Sequence, residues 1–232
     1  MYLNPADEKV WSLLAPAPKG YSRSRPVTGV EQIPVLRGIS QGSSPNEIVA
    51  FDDIGRAVNS RLAAAHFYKS DDKFIKYLYE PTMLVQRLSQ FGYVLTPDIS
   101  LSPTMGRWQK VGLTVLSRQV GSIWEDHGLN VIPSLRWVEL DDCDFVFEGV
   151  PKETAVAVSS YGLVSDSLLR ENFKAGLVKL LTELRPSSVF IYGSANEEIR
   201  ILETFPGQFQ FFKPKHWQVG VCKVLGPEPA LF

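Results

Sequence analysis

Short β-rich runs that break abruptly into polar residues recur along this chain and limit the folds that it can adopt. Most of them are followed by a stretch with helical spacing. The runs are IVAFDD, AAAHFYKSDD, YVLTPDIS, NVIPSLRW, TAVAVSSYG and SVFIYGS. Strands that alternate with helices in this way indicate βα units and a mainly parallel sheet.

Two further runs, IPVLRG at 33–38 and QFQFF at 208–212, raise the number of strand candidates to eight. Eight units predict an α/β domain with a compact or irregular TIM-barrel-like (β/α) architecture. A chain of 232 residues is short for that fold. An open Rossmann-like sheet is the alternative.

Proline content and helical spacing divide the chain into three parts. Residues 1–46 form a Pro-rich extended arm, 47–212 a single α/β domain, and 213–232 a C-terminal tail that contains the β-like run WQVGVCKVL. Helices are predicted over 71–92, kinked or divided at Pro81, over 107–127 with a stop at Gly128, and over 165–186. A shorter helix, ANEEIRILETF, should follow the run SVFIYGS.

The composition is that of a globular domain, with 44% hydrophobic and 21% charged residues. The formal net charge of −1 gives no general attraction to nucleic acid or to anionic membranes. No signal peptide and no membrane-spanning run is recognisable in the sequence. Two dispersed cysteines, Cys143 and Cys222, are typical of a reducing compartment. We therefore expect a cytoplasmic protein, in the host cell if a phage encodes it, with no membrane partner.

Acidic residues follow several of the predicted strands. They are Asp52, Asp53, Asp71, Asp72 and Asp98. Because ligands bind at the carboxyl ends of parallel strands, Asp52 and Asp98 are candidate catalytic groups and candidate ligands for a hard cation such as Mg²⁺. The alternative is that these residues cap the helices that follow. His66 is the candidate general base, and its alternative is a core or rim histidine.

A second set of residues is predicted to bind an anionic ligand. Arg118 and Arg136 would neutralise a phosphoryl group, and Trp137 would stack on a base or a sugar. Ser159, Ser160, Tyr192 and Gly193 would approach the ligand at two further strand ends. Each has a structural alternative: the serines as turn residues, and Trp137 packed under a loop with Arg136 paired to Asp141 or Asp142. No dinucleotide-binding or P-loop motif is present.

Segments between about residues 60 and 194 resemble an uncharacterised family found largely in phages and mobile elements of Gram-positive bacteria. They are HFYKSDDKF, VLTPDIS, the Arg118 region, GLNVIPSLRW, FEGVPKETAVAVSSYG, FKAGL and RPSSVFIYG. The resemblance implies a phage or mobile-element origin. It brings no activity, substrate or catalytic residues.

Three functional hypotheses follow. In the first, the strand ends bind or process a small phosphorylated or nucleotide-like ligand; whether the protein is an enzyme stays open. In the second, it is a nucleic-acid-associated factor in phage or mobile-element replication, in which Arg23, Arg25, Lys213 and Lys215 contact phosphates. In the third, the Pro-rich arm binds a host protein and no reaction is catalysed.

Overall fold

The computed structural model describes residues 17–39, 44–160, 167–193 and 208–213, together with the backbone of 224–225. The strands are β1 Val27–Thr28, β2 Ile33–Pro34, β3 Glu47–Ala50, β4 Ala63–His66, β5 Tyr93–Leu95, β6 Val131–Ile132, β7 Ser134–Leu135, β8 Ala155–Ser159, β9 Ser188–Tyr192, β10 Gln208–Phe212 and β11 Val224–Leu225. The α-helices are α1 Ile75–Tyr79, α2 Val85–Leu88, α3 Arg107–Asp126, α4 Cys143–Val146 and α5 Ser167–Glu183. Short 3₁₀ helices span Ile54–Arg56, Ser60–Leu62, Asp71–Lys73, Pro81–Leu84 and Leu140–Asp142.

Two parallel sheets form the centre of the molecule. One has the strand order β3-β4-β5-β6, and the other has the order β11-β10-β9-β8-β7, in which only β11 is antiparallel to its neighbour. Most residues of β3–β10 for which burial is described are buried and apolar, as expected when both faces of a parallel sheet are covered. The predicted α/β class with a mainly parallel sheet is confirmed.

Pro133 separates β6 from β7 and thereby links the two sheets. It has no N–H to donate, but its carbonyl accepts a hydrogen bond from Ala157 N at 2.8 Å. The next amide, Ser134 N, donates to the hydroxyl of Thr96 at 2.9 Å. The chain therefore pairs with β5 before Pro133 and with β8 after it.

One apolar cluster receives side chains from both sheets. It includes Ile48, Ala64, Leu95, Ile132, Ala157, Phe190 and Phe212. Two other clusters lie between the sheets and the helices. This arrangement resembles a barrel interior, but no ladder joins β3 to β10 in the part of the chain that is described. A side-chain hydrogen bond of 3.2 Å connects Gln210 Nε2 to Ser44 Oγ. Closure of a TIM-like barrel stays a prediction.

The described helices agree with the helical spacing in the sequence. The stretch 71–92 is divided at Pro81. The 3₁₀ helix Asp71–Lys73 and α1 precede this proline, and the 3₁₀ helix Pro81–Leu84 begins at it and is followed by α2. In α3, Leu113, Leu116 and Trp124 are buried on the apolar face. Its end is set by Gly128, whose φ of 80° is the left-handed conformation that glycine favours at this position. ANEEIRILETF lies outside the described residues.

The run IPVLRG differs from the prediction. Its first residues form β2, which pairs with β1 in a separate antiparallel ribbon. The segment nevertheless belongs to the fold, because Ile33 and Leu36 are fully buried. The described part of the Pro-rich arm, residues 17–39, therefore packs on the α/β domain. The sequence pattern could not distinguish a two-residue ribbon from a strand of the main sheet.

Cys143 lies in the core behind β8, and burial raises the pKa of its thiol to about 12. At pH 8 only about one thiol in ten thousand would then be ionised, and the thiolate is the reactive form. In a Cys222→Ser variant, we expect alkylation of Cys143 by iodoacetamide to be at least ~100-fold slower in the native protein than in urea. Equal rates in the two states would contradict this burial.

Within the described residues, no helix is both long and apolar enough to cross a membrane.

Candidate functional site

A cavity of about 550 Å³ opens at the carboxyl ends of the parallel strands. Ala50, His66, Ser159 and Tyr192 are the last residues of their strands and line it. The other lining residues are Asp53, Arg56, Tyr68, Lys69, Ser70, Asp98, Ser100 and Arg136. This is the location that the sequence predicted, and the cavity is called the strand-end pocket below.

The central feature of the strand-end pocket is an ion pair between Asp98 and Arg136. Asp98 follows β5, and Arg136 follows β7, which continues the chain from β6, the strand that pairs with β5. Arg136 Nε donates to Asp98 Oδ2 at 2.9 Å, and Nη2 donates to the same oxygen. The Asp98 side chain is 3% exposed and that of Arg136 is 20% exposed. The carboxylate is thus enclosed, while part of the Arg136 side chain reaches the pocket.

The surroundings keep Arg136 charged. Burial by itself would lower the pKa of this guanidinium, but the Asp98 carboxylate outweighs burial, with further contributions from Tyr68 and Asp71, and the pKa lies above its ordinary value. The surroundings of Asp71 favour the neutral form of its carboxyl instead. Burial raises the pKa of the Asp71 carboxyl, although the N–H and hydroxyl of Ser100 donate to it. Asp71 therefore holds the loop after β5 in place beside the pocket.

Three stacked rings form an aromatic wall of the pocket. His66, Tyr68 and Tyr192 lie with ring centroids 4.7–5.4 Å apart. His66 Nδ1 accepts the Tyr68 N–H at 3.1 Å, so Nε2 carries the proton when the imidazole is neutral. The Tyr68 hydroxyl lies 3.1 Å from Ser134 Oγ, and burial together with the nearby Asp98 charge raises the pKa of this phenol.

The rim of the pocket carries paired charges. Lys69 Nζ contacts both oxygens of Asp52 at 2.6 and 2.7 Å, and Arg56 Nε lies 2.9 Å from Asp53. All four side chains are at least one-third exposed, so these pairs are held weakly. A ligand with several negative charges could take either cation from its partner at little cost.

The structure places the candidate metal ligands beside cations. Asp52 is bonded to Lys69 and Asp98 to Arg136, so a metal ion at either carboxylate would have to share or displace a positive side chain. Among the residues that are described, no group of three or more His, Cys, Asp or Glu is arranged to hold a metal ion. The Mg²⁺ assignment stays a prediction.

Arg118 lies beneath the pocket and not in it. Its side chain projects from α3 and is 1% exposed. Nη1 donates to the Ser134 carbonyl at 3.3 Å and Nη2 to the Val146 carbonyl at 2.9 Å. Burial lowers the pKa of this guanidinium to about 10. Arg118 lines a second, much smaller cavity that Asp98 and Arg136 also line.

Trp137 packs in the core. It is 2% exposed, its ring stacks on Phe173 at 5.5 Å, and Nε1 donates to the Asn172 carbonyl at 3.0 Å. It does not line the strand-end pocket. Its neighbour Arg136 pairs with Asp98, whereas the structural alternative had paired it with Asp141 or Asp142.

The remaining predicted ligand-binding residues lie at the ends of β8 and β9. Ser159 and Tyr192 line the strand-end pocket, and Ser159 Oγ donates to the Tyr192 carbonyl at 3.3 Å. Ser160 is buried behind them, with its N–H donating to the same carbonyl at 2.9 Å. Gly193 has a φ of 143°, and its N–H donates to the Phe212 carbonyl at 2.9 Å. These contacts fix the floor of the pocket.

Sequence reasoning missed Tyr68 and Arg56 as pocket residues. Tyr68 could have been found, because it lies two positions after His66 and alternate residues of an extended segment share a face. Arg56 gives no such signal, since its place on the rim depends on the short 3₁₀ helix Ile54–Arg56.

One residue of the nucleic-acid hypothesis is placed differently from the prediction. Arg25 was expected to be an exposed phosphate contact, but its side chain is 6% exposed and pairs with Glu125 and Asp126. It is therefore a structural residue, and the prediction for Arg25 is wrong.

Comparison with known proteins gives a family but no activity. Residues 26–209 match the family described as "Domain of unknown function (DUF4417)". Over 130 residues the chain is 35% identical to the Gene 1 protein of Mycobacterium phage L5 and 36% identical to that of Mycobacterium phage D29. The aligned region covers 56% of this chain and 57% and 48% of those proteins, so the chain spans about half their length. No solved structure matches. The resemblance to an uncharacterised phage family is confirmed, and the match extends into the predicted arm.

Proposed function

We propose that this chain, which belongs to the DUF4417 family, binds a small phosphorylated or nucleotide-like ligand in its strand-end pocket. The observation that carries the proposal is the environment of Arg136. The enclosed Asp98 carboxylate holds its guanidinium in a fixed orientation, and its partly exposed side chain lines a cavity of about 550 Å³. Cavities of this volume commonly bind small molecules.

Arg136 can bind an oxyanion without losing its partner. Asp98 occupies Nε and Nη2, while Nη1 makes no hydrogen bond to any described residue. A donor whose orientation is already fixed loses little conformational entropy when it binds an anion. Lys69 and Arg56 on the rim supply further positive charge once their exposed acidic partners are displaced. These three cations would suit a phosphate or a pyrophosphate group.

The aromatic wall supports a ligand with a planar or sugar-like part. His66, Tyr68 and Tyr192 present ring surfaces and polar atoms to the pocket, and Ser70, Ser100 and Ser159 add hydroxyl groups at its edge. Rings of this kind stack on bases and on the apolar faces of sugars. If the ligand is also processed, His66 is the residue that we assign to proton transfer, and Asp98 acts through Arg136, whose guanidinium it orients.

A thermal-shift screen of the full chain tests the proposal. The compounds are inorganic phosphate, sugar phosphates and nucleotides, each with and without Mg²⁺, and short oligonucleotides are tested separately. A ligand at 100 times its dissociation constant should add about 2.7 kcal/mol to the free energy of unfolding. We expect stabilisation of the wild type and at least ~10-fold weaker binding by Arg136→Lys, because lysine cannot keep both the bond to Asp98 and a planar donor towards the ligand.

Arg185→Gln is the matched control, since Arg185 is exposed and pairs with Glu153 away from the pocket. It should bind as the wild type does. If no compound of these classes stabilises the wild type, the proposal fails. Stabilisation by oligonucleotides alone would favour the nucleic-acid hypothesis. Equal binding by wild type and Arg136→Lys would show that Arg136 does not bind the ligand.

A further inference from the structure

Two buried polar atoms beneath the pocket wall have no hydrogen-bond partner among the residues that the structure describes. They are Asp98 Oδ1 and Arg118 Nε. Asp98 is 5% exposed and Arg118 is 1% exposed, so bulk water does not reach either atom freely. Buried polar atoms are nearly always satisfied by protein or by an ordered water molecule, because an unsatisfied one is costly. The two atoms are complementary, since one accepts and the other donates.

A cavity of about 20 Å³ is lined by both side chains. This volume suits one water molecule, which typically makes about three hydrogen bonds in a protein interior. Ser117 also lines the cavity, and its hydroxyl proton is already donated to the Pro97 carbonyl at 2.8 Å. The oxygen of Ser117 can therefore accept a further bond. Asp98, Arg118 and Ser117 thus offer the cavity one donor and two acceptors.

We propose that this cavity holds one water molecule that accepts a hydrogen bond from Arg118 Nε and donates to Asp98 Oδ1 and Ser117 Oγ. Arg118 is then a positioning residue. It fixes Oδ1 through the water, while Arg136 fixes Oδ2 directly. The presence of this water is independent of the proposed function. Only the role of Arg118 in positioning Asp98 for ligand binding rests on the proposed function.

A crystal structure of the full chain without ligand, at a resolution that shows ordered water, is the first test. We expect density within hydrogen-bond distance of both Asp98 Oδ1 and Arg118 Nε. NMR should show a slowly exchanging Arg118 Nε–H with a cross-peak to bound water. A dry cavity, or a direct contact between the two side chains, would overturn the inference whether or not any ligand binds.

Two serine variants of α3 give a matched comparison. Ser117→Ala removes one acceptor of the water, whereas Ser122→Ala removes a buried hydroxyl that donates to the Gln119 carbonyl away from the cavity. We expect exchange of the Arg118 Nε–H to be about tenfold faster in Ser117→Ala and unchanged in Ser122→Ala, since tenfold corresponds to about 1.4 kcal/mol of lost stabilisation. Equal rates in the two variants would overturn the three-bonded site. A screen in which no compound binds would instead reject the proposed function and leave these measurements valid.

Discussion

Replacement of Glu125 by glutamine is expected to lower the free energy of unfolding by about 1.5–3 kcal/mol, because the buried Arg25 loses a charge-assisted hydrogen bond and keeps only Asp126 as a counter-charge. The side chains of Glu125 and Arg25 are 4% and 6% exposed. The carboxylate also accepts the N–H of Arg37 at 2.8 Å, which ties the segment before β3 to the end of α3. Urea denaturation monitored by circular dichroism measures the loss.

The same substitution at Glu80 is the control. Glu80 pairs with Lys19 of the same segment, but the two side chains are 42% and 76% exposed. An exposed pair of this kind contributes at most about 1 kcal/mol. If Glu125→Gln lowered the free energy of unfolding as little as Glu80→Gln does, the Arg25–Glu125 pair would be hydrated in solution.

Trp137→Ala is expected to cost about 3–5 kcal/mol, which is typical of removing a large aromatic side chain from a core. The indole fills the space between Phe173 and Phe147, and a Cβ atom built on Gly176 would lie 2.2 Å from its Nε1. The α5 backbone therefore approaches this ring as closely as glycine permits. Chemical denaturation again gives the value.

Trp108→Ala provides the comparison, because Trp108 is the second residue of α3 and is 56% exposed. A surface substitution of this kind usually changes stability by no more than about 0.5 kcal/mol. The pair of variants separates the two interpretations of Trp137. If Trp137→Ala folds as stably as Trp108→Ala but loses ligand binding, the indole contacts the ligand and its packing is not important.

The sequence located the strand-end pocket but not the pairing within it. Asp98 and Arg136 each follow an apolar run, and this local pattern is sufficient to place them at strand ends. Their contact depends on β5 lying beside β6, which is a long-range arrangement that no local pattern contains. The sequence alternatives for Arg136 were therefore its near neighbours Asp141 and Asp142, and the actual partner lies 38 positions earlier.

Arg118 and Trp137 show a second reason why residue type alone was insufficient. Arginine and tryptophan are residue types that ligand sites often contain. Here the Arg118 guanidinium is engaged by backbone carbonyls of β7 and α4, and the Trp137 indole by the backbone of α5. These carbonyl groups come close to the two side chains only when the helices pack on the sheets, and the local sequence contains no signal of that packing.

The position of Arg25 also changes how the host-factor hypothesis is tested. Deletion of residues 1–30 would remove a partner of Glu125 together with β1, so loss of function would report on stability. Substitutions that leave residues 17–39 intact are needed to test a role for the preceding segment.

The break at Pro133 has a consequence for how this site can be inherited. The segment before it carries His66, Tyr68, Lys69 and Asp98, whereas Arg136, Ser159 and Tyr192 come after it. Neither segment can assemble the pocket by itself. A recombination event that exchanged one half for an unrelated sequence could preserve a parallel sheet and still abolish the site. Inheritance of the pocket therefore requires both halves to be transmitted as one unit.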